Sequence, residues 1–392
     1  MNLLSNTLTA HHFGPIADAD IHFGDLTLLI GPQASGKSLI SQLLYLCLDL
    51  DQIAPNLAQH GFTWNQDSYG FLTLFFGKGL GAIWNDQTRI SLDQQPFPDI
   101  EPALLANLSV NDTPSVPTGI KRCFYIPAQR AIVLRDGWPQ AFSDYRAGDP
   151  YVVKNFSEFL RLHLDRMLST PESTLFPNLR YADRVLSNRI THTLFHDARL
   201  VLDTHTLRKR LMLDLHGNRL PPMAWSSGQR EFIPLLLGLD WVMPNTGSVQ
   251  WVVIEEPEMG MHPSGLQSLM LILLELLHRN CRLIISTHSP VLLELVWAVH
   301  RLKDAPRGAK HLRQLLALSE NDLSTEKLNE ILGVKTFKTY YFDRNKSGPV
   351  TVRDISSLDP GDEDPGVADW GGLTAFASRA SEVVAAAMAE RE

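Results

Sequence analysis

Residues Gly31, Pro32, Gln33, Ala34, Ser35, Gly36, Lys37 and Ser38 sit between an apolar run, Leu26–Ile30, and an apolar helical pattern over Leu39–Leu50. A buried strand that breaks into a glycine-bearing turn and restarts as a helix points to an α/β fold with the strand in the middle of a sheet. The residue types in the turn also dictate a chemistry. Glycines let successive backbone N–H groups curl around an anion, a lysine neutralises its charge, and a hydroxyl stands where a divalent cation needs an oxygen ligand. The helix N-terminus adds its dipole to the same anion. Gly31 to Ser38 are therefore candidate ligands of a nucleotide's phosphates. Lys37 would face the β- and γ-phosphates, and Ser38 would face Mg2+.

The chain has 392 residues, enough for two or three structural units. With 44% hydrophobic and 20% charged residues it can bury a sizeable core, which excludes a wholly disordered chain. A net charge of −8 argues against a protein that coats nucleic acid unspecifically, though a local basic groove stays open. Cys47, Cys123 and Cys281 are far apart and form no CxxC pair. Neither a disulfide framework nor a structural zinc site is expected, and a reducing, cytoplasmic setting fits. The longest apolar stretches, Phe232–Met243 and Leu266–Leu277, are short and carry Asp240 and Glu275, so no membrane span is expected.

Further strands are expected at Arg122–Ile126, Trp251–Ile254 and Arg282–Ser286, with a helix over Leu266–Arg279 between the last two. Residues 61–92 read as one or two antiparallel hairpins and 93–118 as a loop. Phe156, Phe159, Leu160, Leu164, Met167 and Leu168 follow helical spacing, and Pro171 and Pro177 end that helix; further helices are expected after it. The tail is expected to hold a hairpin, Thr336–Phe342 with Val350–Val352, then an acidic loop and an alanine-rich helix. The organisation expected is an N-terminal half of a nucleotide-binding head with an antiparallel β lobe (1–150), a helical insertion (151–215), the second half of the head (216–300) and an accessory region (301–392).

Four more clusters carry chemistry. The strand Trp251–Ile254 ends in Glu255 and Glu256, so one carboxylate, Glu255, can hold Mg2+ while the next, Glu256, polarises an attacking water. Ser226, Ser227, Gly228 and Gln229 read as a helix N-terminus whose small residues leave N–H groups free for phosphate; an ordinary helix cap reads the same way. Pro234 is expected to kink that helix early. His288 follows the strand Arg282–Ser286 and can reach a γ-phosphate. Gln129, after Arg122–Ile126, can touch the Mg2+ shell or its water, and Arg130 is a candidate contact to phosphate or to a partner. Two basic clusters, Arg208–Arg210 and Arg301, Lys303, Arg307, Lys310 and Arg313, fit DNA, an acidic protein or a solvated helix face alike.

In that order these motifs resemble an ABC-type ATPase head. The stretch from Glu256 through Pro257 and Glu258 to His262 and Pro263 is similar to the EPExHLHP pattern of the OLD-like ATPases, among them the ATPase subunits of the PARIS and Septu antiphage systems. The resemblance covers residues 1–45 and 120–300 and reaches the tail only loosely; Ser227 stands where transporters usually carry glycine. It implies ATP and Mg2+ as ligands. It also implies a homodimer, or a larger homo-oligomer, in which Ser226–Gln229 of one copy complete the phosphate site of another. It implies ATP hydrolysis driving a conformational switch in antiviral defence. The insertion is too short for a long coiled coil, since two arms would reach only about 45 Å. Asp362, Glu363 and Asp364 lie in a Pro/Gly loop rather than after an apolar strand, so no nuclease centre is expected in this chain. The resemblance therefore implies a separately encoded effector, a nuclease. The alternative is a DNA-maintenance or repair ATPase that clamps nucleic acid directly. Residues 151–215 and 300–392 are the docking surfaces expected.

Overall fold

The structure, a computed structural model, describes residues 6–64, 67–97, 122–167, 184–196, 198–203, 209–319, 323–344 and 348–389. Its strands are β1 (Thr7–Phe13), β2 (Ile16–His22), β3 (Leu26–Ile30), β4 (Arg89–Leu92), β5 (Gln95–Pro96), β6 (Cys123–Ile126), β7 (Leu134–Arg135), β8 (Trp138–Pro139), β9 (Arg199–Asp203), β10 (Arg210–Leu215), β11 (Asn218–Leu220), β12 (Trp251–Glu255), β13 (Arg282–Ser286), β14 (Phe337–Arg344) and β15 (Val350–Asp354). Its helices are α1 (Lys37–Gln59), α2 (Ser68–Phe76), α3 (Tyr151–Met167), α4 (Arg184–Ile190), α5 (Ser227–Val242), α6 (Pro263–His278), α7 (Pro290–Leu302), α8 (Gly308–Leu315), α9 (Thr325–Val334), α10 (Pro365–Ala368) and α11 (Ala375–Ala389).

One large mixed sheet organises the molecule, in the order β5-β4-β1-β2-β15-β14-β3-β13-β12-β6. The run from β14 to β6 is parallel throughout. The β1, β2, β4 and β5 end is antiparallel, as the expected lobe requires. The fold is thus α/β. Strands β3, β6 and β12 are buried at every position, which is why they read as apolar runs. In α1, Asp49 leaves helical geometry (φ −126°, ψ 24°), and its buried carboxylate accepts the backbone N–H groups of Arg122 and Cys123, pinning the start of β6.

Four expectations are corrected. The hairpins expected over 61–92 are not formed within that segment among the described residues: 68–76 is a helix, α2, and Arg89–Leu92 is a strand that pairs with β1 and β5. Asp67 caps the helix by accepting from the Tyr69 and Gly70 N–H groups, and Phe71, Leu72, Leu74, Phe75 and Phe76 are all buried. A run of large apolar and aromatic residues has little amphipathic period to betray a helix. The insertion 151–215 is helical only in its first part. β9 and β10 carry buried leucines at every second position, Leu200 and Leu202 on one and Leu211 and Leu213 on the other, and join β11 in a second antiparallel sheet. The turn His216–Gly217, both residues at positive φ, closes its hairpin. Helix α5 runs unbroken through Pro234.

The fourth correction concerns the tail. The expected hairpin exists, as β14 and β15, but it is no accessory. It enters the large sheet between β2 and β3, in parallel with each. Phe337, Tyr340, Phe342 and Val350 are core residues, and the Tyr340 hydroxyl bonds both to the N–H and to the C=O of His22. Of the tail only α11 stands clear, with no buried residue. Residues 98–118 of the expected loop, Leu168, Pro171, Pro177 and Arg208 lie outside the described residues. Among the described residues no helix is long and apolar enough to cross a membrane.

Candidate functional site

Because β3, β13, β12 and β6 run side by side in parallel, their C-terminal ends bring four separate motifs to one edge of the sheet. Crevices at such strand ends are where open α/β sheets hold ligands. Gly31 leaves β3 with φ 142°, and a Cβ there would stand 2.7 Å from the Phe342 carbonyl oxygen, so only glycine fits against β14. Ala34 and Gly36 also lie at positive φ. Gly36 caps α1 without any side-chain hydrogen bond, so the first-turn N–H groups have no cap from this residue. The Ser35 hydroxyl donates to Pro32 O at 2.8 Å and closes the loop. Pro32, Gln33, Ala34 and Ser38 face solvent.

The Lys37 ammonium donates to the Gly31 and Pro32 carbonyls, each at 2.8 Å. Burial lowers its pKa to about 8, against the pull of Glu256 and Glu258, so it is close to discharge at the upper end of the physiological range. Glu255 ends β12 almost wholly buried. Its Oε2 accepts the Ala128 N–H at 3.1 Å, while Oε1 is buried with no hydrogen-bond partner. Burial raises its pKa, opposed by the Ser38 hydroxyl, the Ala128 N–H and the Tyr125 hydroxyl. Glu256 follows at φ 42°, a left-handed conformation that costs a non-glycine residue about 1–3 kcal/mol. Its N–H donates to Ser286 O at 2.8 Å, and its Oε1 lies 3.8 Å from His288 Nε2, both side chains about a third exposed. Burial first and Lys37 second push the His288 pKa down, against the pull of Glu256 and Glu258, which favours the neutral ring.

Glu258 was not among the candidates. Its Oε1 accepts the Thr287 hydroxyl and the His288 N–H, both at 2.7 Å, and so fixes the turn that carries His288. Its other oxygen is buried without a partner. The only signal in the sequence is the second carboxylate of the Glu-Pro-Glu run.

Gln129 is exposed on the loop after β6, beside the Ala128 that holds Glu255. Arg130 is not a free contact to phosphate or to a partner, contrary to expectation. It is fully buried and bonds backbone carbonyls. Ser226 caps α5 in a reciprocal box: its hydroxyl oxygen accepts from Gln229 N, and Gln229 Oε1 accepts from Ser226 N. Ser226 and Ser227 are exposed, and Gly228 packs on Gly260 so closely that a Cβ would stand 2.6 Å from the Gly260 carbonyl oxygen.

Of the remaining expected clusters some members are engaged locally, while Lys303, Arg307 and Lys310 are exposed. Arg301 pairs with Asp359 at 3.2 Å, Arg313 binds the Ser319 and Leu323 carbonyls, and Lys209 pairs with Asp165 at 2.6 Å. Asp364 caps α10 and pairs with Arg353, and Asp362 accepts the Asp364 N–H.

Residues 141–294 match a family profile described as "AAA domain, putative AbiEii toxin, Type IV TA system". No curated protein matches the sequence. Among solved structures, an SMC head bound to the C-winged helix domain of ScpA aligns at TM-score 0.42 with 10% identity, covering 89% of this chain and 97% of that one. The SMC head domain from Thermotoga maritima aligns at TM-score 0.36 with 11% identity, over 90% and 99%. The cbiO1 protein from Clostridium perfringens, part of the ABC transporter complex cbiONQ, aligns at 0.32 with 12% identity, over 73% and 80%.

Proposed function

We propose that this chain is a Mg2+-dependent ATPase that works as a nucleotide-driven switch. The observation that carries the reading is the meeting of the Gly31–Ser38 loop, the Glu255–Glu256 strand end and His288 at one sheet edge. The residues fit both ligands. Gly36 leaves the α1 N-terminus without a side-chain cap, and Lys37 holds a charge beside it. The unpartnered Glu255 Oε1, with the Ser38 hydroxyl close by, is the hard-oxygen donor set that Mg2+ takes. Bound there, Mg2+ would neutralise phosphate charge and polarise the bond to be broken. Glu256 is the group placed to accept the proton of an attacking water, and the neutral His288 ring can donate to a phosphate oxygen. Ser226–Gln229, at the α5 N-terminus with Ser226 and Ser227 exposed, would complete the phosphate site of a second copy, so the active form is a homodimer.

For what the switch controls, the resemblance noted above supports a separately encoded effector, a nuclease, in antiphage defence; the matched profile's wording goes no further than a toxin system. The test is to purify the protein alone and with the product of its neighbouring gene. ATPase activity should be present in wild type and absent in Lys37→Ala, and nucleic-acid cleavage should need the neighbour. Equal ATP turnover in both proteins refutes the ATPase assignment; cleavage by the isolated chain refutes the partnership.

A further inference from the structure

We propose that Arg130 is a positioning residue for ATP hydrolysis, a joint through which the helix bearing Ser226–Gln229 sets the backbone of Glu256. The inference rests on the ATPase reading above. The Arg130 side chain is 0% exposed. Its Nη1 donates to Pro127 O at 3.1 Å and to Glu255 O at 2.5 Å, its Nη2 to Glu256 O at 2.9 Å, and its Nε to Glu231 O at 3.2 Å. Three otherwise separate pieces of chain therefore meet on one guanidinium: the loop after β6, the end of β12 and the first turns of α5. The Glu231 carboxylate lies farther off, at 3.8 Å, so the short contacts are to backbone. Only a planar fork with five N–H donors can serve carbonyls arriving from several directions; an ammonium cannot match that geometry.

The contact at Glu256 matters because that residue sits at φ 42°. Ser286 O holds its N–H and Arg130 holds its carbonyl, so the left-handed turn is fixed on both sides and the carboxylate direction with it. The contact at Glu231 matters because this residue shares the first turns of α5 with Ser226, and a helix moves as a rigid rod over that length. A second point of contact, Gly228 against Gly260, leaves no slack between the same two pieces of chain. A pull on the α5 N-terminus must therefore shift Glu256. In a dimer where that N-terminus faces the other copy's phosphates, the nucleotide of one site sets the carboxylate of the other.

The experiment uses the full chain as wild type, Arg130→Lys and Arg130→Met, compared at equal folded fraction. ATP turnover is measured with hydrogen exchange of residues 226–232 and 255–261. In Arg130→Met, kcat should fall about a hundredfold, the loss typical of a displaced catalytic group, with KM for ATP unchanged. Arg130→Lys should recover part of it. Exchange should rise in both segments together. If Arg130→Met does not fold, Arg130→Lys alone should show lowered kcat at unchanged KM. Wild-type kcat in the folded variants, a change confined to KM, or faster exchange limited to residues 127–131 overturns the proposal. If wild type itself hydrolyses no ATP, the ATPase reading falls separately, and exchange alone decides: joint loss of protection supports the joint, local loss refutes it.

Discussion

Replacing Phe342 by alanine tests whether the C-terminal hairpin is part of the sheet that builds the site. Phe342 is fully buried on β14, which pairs with β3 through Tyr341 and Ile30, the last residue before the Gly31–Ser38 turn. Removing the ring leaves a cavity in a core that cannot close over it, a loss of about 3–5 kcal/mol. That is a large share of the ~5–15 kcal/mol by which proteins are typically stable. At ~2.1 cal/mol/K of unfolding entropy per residue, a chain of 392 residues melting as a unit should lose about 5 °C in Tm. Circular dichroism and tryptophan fluorescence should report the same drop. Phe376 in the same tail is 81% exposed on α11, and Phe376→Ala should leave Tm unchanged. Equal melting of the two variants, or an unchanged melt after deletion of residues 335–392, refutes the reasoning.

Three further outcomes are expected. ATP affinity should weaken as pH rises through about 8, because the lowered Lys37 pKa means that binding must then take up a proton; the limit is about tenfold per pH unit, and calorimetry showing no proton uptake above pH 8 would contradict it. Glu256→Gln should keep ATP binding and slow hydrolysis by about a hundredfold or more, since the amide cannot accept the water's proton; normal turnover would mean the carboxylate roles are misassigned. Ser226→Arg should block hydrolysis while each chain still binds ATP, and a mixed dimer with Lys37→Ala partners should show whether the block acts across copies; full activity of Ser226→Arg protein would remove the trans-acting role.

The parts of the fold legible in the sequence are those where burial forces composition. β3, β12 and β13 have covered faces, so they appear as short apolar runs bounded by breakers, and their ends were placed to within a residue. What a strand pairs with is not written in its own residues. Phe337–Arg344 reads as the same hairpin arm whether the hairpin lies at a free edge or between β2 and β3, because its second partner strand, β3, is more than 300 residues away along the chain. Helix α2 failed for another reason: its run of large apolar and aromatic residues has little amphipathic period, so composition resembled a strand and only the Asp67 cap spoke for a helix. In β9 to β11 the period of two was present, but the helical pattern of α3 was carried too far past it.

The site divides along a similar line. Lys37, Glu255, Glu256 and His288 were legible as candidates because each sits in a motif of contiguous residues at a strand end. Glu258 and Arg130 depend on groups that no motif displays. Glu258 acts on the Thr287 hydroxyl and the His288 N–H, one strand further on. Arg130 was noticed as a charge and read as a surface contact, since arginine is seldom fully buried without a carboxylate. Its short contacts are four carbonyl oxygens, and backbone acceptors are the same at every position of a sequence. A buried guanidinium whose short contacts are all to backbone has little coding signature beyond its own letter. The role proposed for it lies in which pieces of chain the fold brings to it, here the strand end with Glu255 and Glu256 and the start of the helix that follows Ser226.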